Sequence, residues 1–325
     1  MDQKKVLVTG IGGNVGQGII RNIRSLQMPI KIVGCNVLAF TAGNHLCDRF
    51  YKVPFAYDEA YINSILAIVD AEKVDLIIPS TDYEVYYLAK FKNRFPCPIA
   101  VSDVETAEIY LDKYKSYVHH LKNNIPFASA FLPSEYNRQF SEIIVKPREG
   151  RGSRGLFINP ENFSSFSDDY MVQELFKGKE ITTAFYVDRN NQLHGFINLE
   201  RSLENGATSE CRVDKSYDGK LEQILNKIIL NSKIRGSANL QSIATGDGEI
   251  IPFEINCRIS GTNSIRSNFG FEDVKYTIQE YLLDTVPSKP NIINGVAVRI
   301  MMDVIYPEQE KNTAILDNSV KHFLF

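Results

Sequence analysis

The chain is poor in the residues that build disulfides, soft-metal centres and membrane anchors. Its five cysteines, Cys35, Cys47, Cys97, Cys211 and Cys257, are odd in number, scattered and free of any CxxC pair. That pattern argues for reduced thiols and against a disulfide framework or a zinc knuckle. Five histidines are present and none has a partner at metal-ligand spacing, so a transition-metal centre is set aside. Neither sign of charge is in excess: 36 Lys and Arg face 39 Asp and Glu, a net charge of −3. Such a balance gives no general attraction to nucleic acid or to an anionic membrane. No apolar run approaches membrane-spanning length, and the chain opens on a strand rather than a charged-then-apolar leader, so the expected location is the cytoplasm. Internal repeats and low-complexity segments are lacking too. What remains, 325 residues with 44% hydrophobic and 23% charged, is the composition of an ordinary globular protein of two or three lobes.

Strand and helix patterns alternate through the first third. Strands are expected at 4–9, 30–35, 75–79 and 98–101, and helices at 16–26, 60–71, 82–95 and 103–111. This rhythm predicts a doubly wound parallel sheet, covered on both faces, over residues 1–110. From Asp112 the character changes. A lysine- and tyrosine-rich helix (113–122) leads to strands at 128–132 and 142–146, a glycine- and arginine-rich loop (150–155) and a strand at 156–159. An apolar segment from Met171 to Glu174 ends in a polar turn. Antiparallel strands come next at 181–187 and 195–199, then a helix at 221–231. Strands at 236–243 and 250–258 are joined through Gly246-Asp247-Gly248. A helix at 273–283 and a β-rich run at 296–305 complete the pattern. The expected fold class is α/β followed by α+β, with a main domain over 111–290, a lid lobe at about 115–175 within it, and a C-terminal β-rich extension over 291–325.

The most informative segment is Glu254-Ile255-Asn256-Cys257-Arg258. Strand alternation predicts that Glu254, Asn256 and Arg258 share one face, with Ile251, Phe253 and Ile255 turned into a core. A carboxylate beside an amide oxygen suits Mg²⁺, which takes oxygen ligands and shares them with nucleotide phosphates. A guanidinium one step on can hold a phosphoryl group. Upstream, Lys146 ends a strand of buried type and precedes Arg148 and the loop Gly150-Arg151-Gly152-Ser153-Arg154-Gly155. Exposed backbone N–H groups there, with Arg151 and Arg154, can wrap a triphosphate. Gln173-Glu174-Leu175-Phe176, with Glu180 six residues after Glu174, can form a hinge that clasps adenine while a carboxylate accepts from ribose hydroxyls. The turn Thr9-Gly10-Ile11-Gly12-Gly13-Asn14-Val15-Gly16 opens the first helix and also fits a nicotinamide-dependent reductase. Such a site wants an acidic residue at the end of the second strand, where Asn36 stands, and the Tyr86-to-Lys90 spacing falls too early for that family's catalytic pair.

In this order the segments resemble the ATP-grasp superfamily. The likeness is to single-domain relatives of the carbamoyl-phosphate synthase large subunit and to amino-acid ligases such as the pyrrolysine-biosynthesis ligase. It covers residues 1 to about 290 and includes Asp112-Lys113, Ile-Val-Lys-Pro, the glycine loop, Asn239-Leu240-Gln241 and Glu-Ile-Asn-x-Arg. The resemblance implies a pre-ATP-grasp domain followed by a two-lobed ATP-grasp domain, ATP as nucleotide, and one or two Mg²⁺, with Mn²⁺ able to substitute. Lys113 and Lys146 would hold the α/β-phosphates, with Arg151, Gly152 and Ser153 of the loop around them. Gln173, Glu174 and Glu180 would serve the nucleoside. Glu254 and Asn256 would bind the metal together with Gln241, and Arg258 and Lys146 would act on the transferring phosphoryl group. Cys257 stands where relatives carry proline, and strand alternation turns it from the metal face.

The function expected is a carboxylate–amine ligase working through an acyl phosphate, with small-molecule substrates, no nucleic-acid or membrane partner, and an architecture that allows a homodimer. A small-molecule kinase or phosphotransferase shares every nucleotide residue, and a nicotinamide reductase is the third reading. For the acceptor pocket the candidates are Arg201, Arg212 and Arg266, Ser260-Gly261-Thr262, and Asp82 with Glu84.

Overall fold

The computed structural model describes residues 3–150, 154–310 and 317–325. The first lobe is a parallel sheet of β1 (Lys4–Val8), β2 (Ile30–Asn36), β3 (Arg49–Lys52) and β4 (Leu76–Ile78), in the order β3-β2-β1-β4. Alternate residues of these strands feed opposite cores, as a two-sided sheet requires. Val6, Val8, Ile32, Leu76 and Ile78 pack with Ile19, Ile20 and Ile23 of α1 (Asn14–Ser25). Leu7, Val33 and Ile77 pack with Ile62 and Ile65 of α2 (Tyr61–Glu72) and with Val85 and Leu88 of α3 (Asp82–Lys90). The core on the α1 side takes in Ile259, Val274 and Ile278 from the far end of the chain, so shared apolar burial fastens the first lobe to the rest of the protein. The fourth expected strand is a single parallel bridge from Ile77 to Ile99.

Beyond α4 (Val104–Leu111) and α5 (Lys113–Lys122) lies a small antiparallel sheet. Its strands are β5 (Ala130–Phe131), β6 (Ile143–Pro147), β7 (Phe157–Ile158) and β8 (Tyr170–Glu174), in the order β5-β8-β6-β7. Val145, Val172 and Ile143 form its core with Tyr136, ringed by Phe131, Phe140, Phe163 and Phe166.

The larger sheet is built from β9 (Lys179–Val187), β10 (Leu193–Glu204), β11 (Ala207–Val213), β12 (Gly236–Ala244), β13 (Ile250–Asn256) and β14 (Val296–Val298). Their order is β13-β12-β9-β10-β11-β14. One face is closed by α6 (Asp218–Leu230), which sets Leu221, Leu225 and Ile228 against Phe185, Val187, Leu240 and Ile255. The opposite face buries Ala184, Tyr186, Ile197 and Leu199 against Phe269, Phe271 and Tyr276, just past the short helix α7 (Asn263–Arg266). Strand β11 is absent from the expected pattern. Its signal is Asn205-Gly206, both with positive φ (50° and 74°), the tight turn that right-twisted hairpins favour. The expected helix at 273–283 divides into α8 (Asp273–Thr277) and a π-helical turn (Ile278–Leu282). The β-rich run at 296–305 also divides: β14 edges the large sheet, whereas β15 (Val304–Ile305) pairs with β16 (Phe323–Leu324). No helix among the described residues is long and apolar enough to cross a membrane.

Arg266 and Asp273 lock the back of this assembly. Both side chains are wholly buried, and the pair is two-pronged, Nε to Oδ1 at 3.2 Å and a terminal nitrogen to Oδ2 at 2.5 Å. The other terminal nitrogen donates to Ser260 Oγ at 2.7 Å and Thr262 Oγ1 at 2.8 Å. Removing one partner strands a charge without water. Arg266→Met should therefore cost about 3–5 kcal/mol in urea denaturation, and a loss under about 1 kcal/mol would mean Asp273 is neutralised some other way.

Candidate functional site: a cationic cleft around one carboxylate

The site is assembled where the small sheet meets β13. The junction is the carbonyl of Phe253, which accepts from Lys146 Nζ at 3.5 Å and from Gln173 Nε2 at 3.4 Å. Gln173 also donates to the Ala128 carbonyl at 3.3 Å, and Ala128 N–H bonds to the Pro252 carbonyl at 2.7 Å. Gln173 is buried and ties the two sheets together, so its amide nitrogen is spent on structure rather than offered to a nucleoside.

Phe253 corrects the expectation of strict alternation in β13. Gln241 pairs with Glu254 and Ser242 with Pro252, leaving Phe253 as an extra residue in a β-bulge. Its ring leaves the core and lies under Lys146, with Nζ 5.5 Å from the ring centre. A proline inside an edge strand is where sequence could have signalled this bulge. Beyond it alternation resumes: Ile255 and Cys257 are buried in the core on the α6 side. Burial pushes the Cys257 thiol well above its usual range, as its place in the core away from the cationic site requires.

Lys146 is only 4% exposed. Burial lowers its ammonium to about 8, against the pull of Glu254 and with the help of repulsion from Lys113. Glu254 shows the opposite balance. Burial alone would raise its carboxyl, yet Lys113, Lys146, the Asn256 amide and Arg258 together hold it below the usual range. One carboxylate thus faces three cations, an arrangement with positive charge to spare for an anion.

Lys113 reaches this position because Asp112 caps α5. The Asp112 carboxylate accepts from Tyr114 N–H at 2.9 Å and Lys115 N–H at 3.1 Å, and pairs with Arg148 at 2.5 Å. Lys113 N–H bonds to the Arg148 carbonyl at 2.9 Å, and its Nζ to the Gly150 carbonyl at 3.3 Å. Arg148 is held by Asp112 and by the Asp168 carbonyl. Arg151, Gly152 and Ser153 lie outside the described residues. Glu174 ends β8, where its N–H bonds to Ser129 and that of Leu175 to Glu142, so these two hinge amides are already engaged.

A strip of polar side chains crosses the large sheet from Glu254. Asn256 Nδ2 donates to Glu254 Oε1 at 3.1 Å, and Gln241 Nε2 donates to Asn256 Oδ1 at 3.3 Å. Arg201 donates to Gln241 Oε1 at 2.7 Å and to Glu180 Oε1 at 3.0 and 2.5 Å. Asn256 thus turns its nitrogen, not its oxygen, towards Glu254, contrary to the expected ligand pair. Glu180 is paired with Arg201 and does not join Glu174 at the hinge as a free carboxylate. Arg258 closes the cleft from the first lobe's side, bonded to Asp82 at the start of α3 at 2.8 Å.

The other acceptor candidates do not converge. Arg266, Ser260 and Thr262 are spent on one another and on Asp273. Glu84 is buried as the capping residue of α3, accepting from Thr81 N–H at 3.0 Å and Ser80 N–H at 3.3 Å, so it cannot meet an ammonium group. Arg212 pairs with Glu200 at the exposed end of the sheet. Asp82 alone of these candidates reaches the cleft.

The architecture is thus a parallel α/β lobe followed by two antiparallel sheets, with the cationic site where the small sheet meets β13. Residues 110–262 match the ATP-grasp domain, and residues 6–100 match the PylC-like N-terminal domain. Among solved structures it is similar to N5-carboxyaminoimidazole ribonucleotide synthetase in complex with ADP, with TM-score 0.74 at 13% identity over 99% of this chain and 92% of that one. It is also similar to the biotin carboxylase domain of the Hydrogenobacter thermophilus 2-oxoglutarate carboxylase, with TM-score 0.70 at 17% identity over 90% and 73% of the two chains. The L-amino acid ligase of Bacillus licheniformis gives TM-score 0.68 at 14% identity over 86% and 74%. At these identities the likeness establishes the fold. No curated protein matches the chain in sequence.

The buried lysine makes a stability test available without any ligand. Lys146 is lowered in the folded state to about 8, so above that pH the unfolded chain binds more protons and folding gains stability as pH rises. Urea melts should show wild-type stability climbing between pH 8 and 10 relative to Lys146→Met, which lacks this increment. A parallel course of the two proteins would mean Lys146 titrates as an ordinary surface lysine.

Proposed function

We propose that this protein is an ATP- and Mg²⁺-dependent carboxylate–amine ligase that acts on small molecules through an acyl phosphate and releases ADP and phosphate. The observation that carries the reading is the half-buried Glu254 carboxylate held ionised by Lys113, Lys146 and Arg258. The match of residues 110–262 to the ATP-grasp domain and the likeness in fold to a synthetase solved with ADP support it.

The residues fit a divalent ion in one respect and not in another. Glu254 offers an anionic oxygen pair, and Mg²⁺ is commonly held by one or two carboxylates with phosphates and water completing its shell. The amide oxygens of Gln241 and Asn256 point elsewhere. When bound, the ion would neutralise charge developing on the phosphate oxygens.

Phosphoryl transfer asks a protein mainly for positioning and charge compensation. Lys113 and Lys146 are set to hold the phosphate tail, and Phe253 and the junction between the sheets keep water from Lys146. Arg258, braced by Asp82, faces the cleft where an acceptor carboxylate would lie. An oxygen of that carboxylate attacks the γ-phosphorus, the bond to the β-phosphate bridging oxygen breaks, and ADP leaves with the electron pair. An amine nitrogen then attacks the acyl carbon, phosphate departs with the electrons of the C–O bond, and the nitrogen sheds a proton to give the amide. Exclusion of water protects the mixed anhydride in between.

Incubation with ATP and pooled carboxylates and amines should release phosphate only when both are present. Phosphorylated product formed without an amine would point to a kinase instead. Glu254→Ala should lower turnover by at least about 100-fold, the scale expected when a charge-stabilising group is lost, with the far-UV spectrum unchanged. Full ATP-dependent activity in that variant would remove Glu254 from the reaction.

A further inference from the structure

We propose that this chain holds a single divalent ion, on Glu254, because Arg201 locks the neighbouring amides with their oxygens turned away from that carboxylate. The inference rests on the nucleotide-and-magnesium reading above. Side-chain hydrogen bonds run in one direction across four neighbouring strands, β10, β9, β12 and β13.

A guanidinium can only donate and a carboxylate, when ionised, can only accept. Arg201 is largely buried, with its side chain 13% exposed, and its nitrogens are committed to Glu180, Gln241 and, at 3.4 Å, Thr208 Oγ1. Gln241 must present its oxygen to that donor, since the reversed amide would set donor against donor. Its nitrogen is thereby sent to Asn256 Oδ1, and the Asn256 nitrogen to Glu254 Oε1. The relay begins on a group that only donates and ends on one that only accepts, so both amide orientations come from chemistry rather than from the near-equivalence of nitrogen and oxygen. Gln241, which the sequence offers as a ligand, instead carries an oxygen spent on a cation. The guanidinium charge beside it also repels a second divalent ion. Among the described residues no group of three His, Cys, Asp or Glu side chains converges to replace the lost ligands. Arg201 is on this account a positioning residue: paired with Glu180, it supplies fixed positive charge at the place where a second ion would otherwise stand.

The test is the number of Mn²⁺ ions bound, counted by electron paramagnetic resonance on the full chain saturated with a non-hydrolysable ATP analogue. The wild type should bind one ion per chain. Arg201→Met, which releases Gln241 and Asn256 to turn their oxygens inward, should bind two, with the spectrum of a coupled pair. Arg201→Gln, which removes the charge but keeps a polar side chain, should do the same if the methionine variant folds poorly. Two ions in the wild type overturn the single-ion inference and leave the nucleotide reading standing. A wild type that binds neither analogue nor metal overturns both. Folded variants that stay at one ion overturn the role given to Arg201.

Discussion

The structure turns on a half-buried carboxylate kept ionised by surrounding cations. Glu254 would be pushed towards protonation by its burial, and Lys113, Lys146 and Arg258 reverse that. Each cation arrives from a different part of the chain: Lys113 from the start of α5, Lys146 from the small sheet, and Arg258 from just beyond β13 with Asp82 of the first lobe behind it. The relative placement of three lobes is thus concentrated on one charge. Misplacing any of them would leave either a carboxylate or an ammonium group short of both partner and water, a cost large enough to define the cleft.

The supporting contacts are of two kinds. Apolar burial fixes the lobes: the shared core of α1 with Ile259, Val274 and Ile278 fastens the first sheet to the elements after β13. Directional bonds then set individual atoms. The Phe253 carbonyl, freed by the bulge, receives both Lys146 and Gln173, and the Asp112 carboxylate aligns α5 so that Lys113 faces inward. On the far side, the Arg201-anchored amides hand a hydrogen bond to Glu254 through two side chains. Such preorganisation matters in phosphoryl transfer, where charge compensation must be in place before the reaction begins.

Sequence periodicity and motif order carried the architecture. Parallel strands alternating with helices, the helix at Lys113–Lys122, and the pairing of β12 with β13 are legible in local pattern. Local pattern failed where burial and tertiary pairing, rather than residue type, decide what a charged side chain meets. Arg266 and Glu84 stand in the sequence as candidates for the acceptor pocket, yet one is closed in by Asp273, Ser260 and Thr262 and the other by a helix cap. Arg201 sits 21 residues from Glu180 and 40 from Gln241, and no spacing rule announces that triad. The turn of Phe253 out of the core is a register effect, visible only once β13 is laid against β12, although Pro252 hinted at it. Asn205-Gly206 carried the missing hairpin in plain sight.

The central claim is that the cationic cleft around Glu254 receives the phosphate tail of a nucleotide. A crystal soaked in a non-hydrolysable ATP analogue with Mg²⁺ tests it most directly. The account requires phosphate oxygens within hydrogen-bond reach of Lys113 and Lys146, an ion on Glu254, and the terminal phosphate turned towards Arg258. Analogue bound elsewhere on the molecule, with no phosphate at Lys113 or Lys146 and no ion on Glu254, would contradict it.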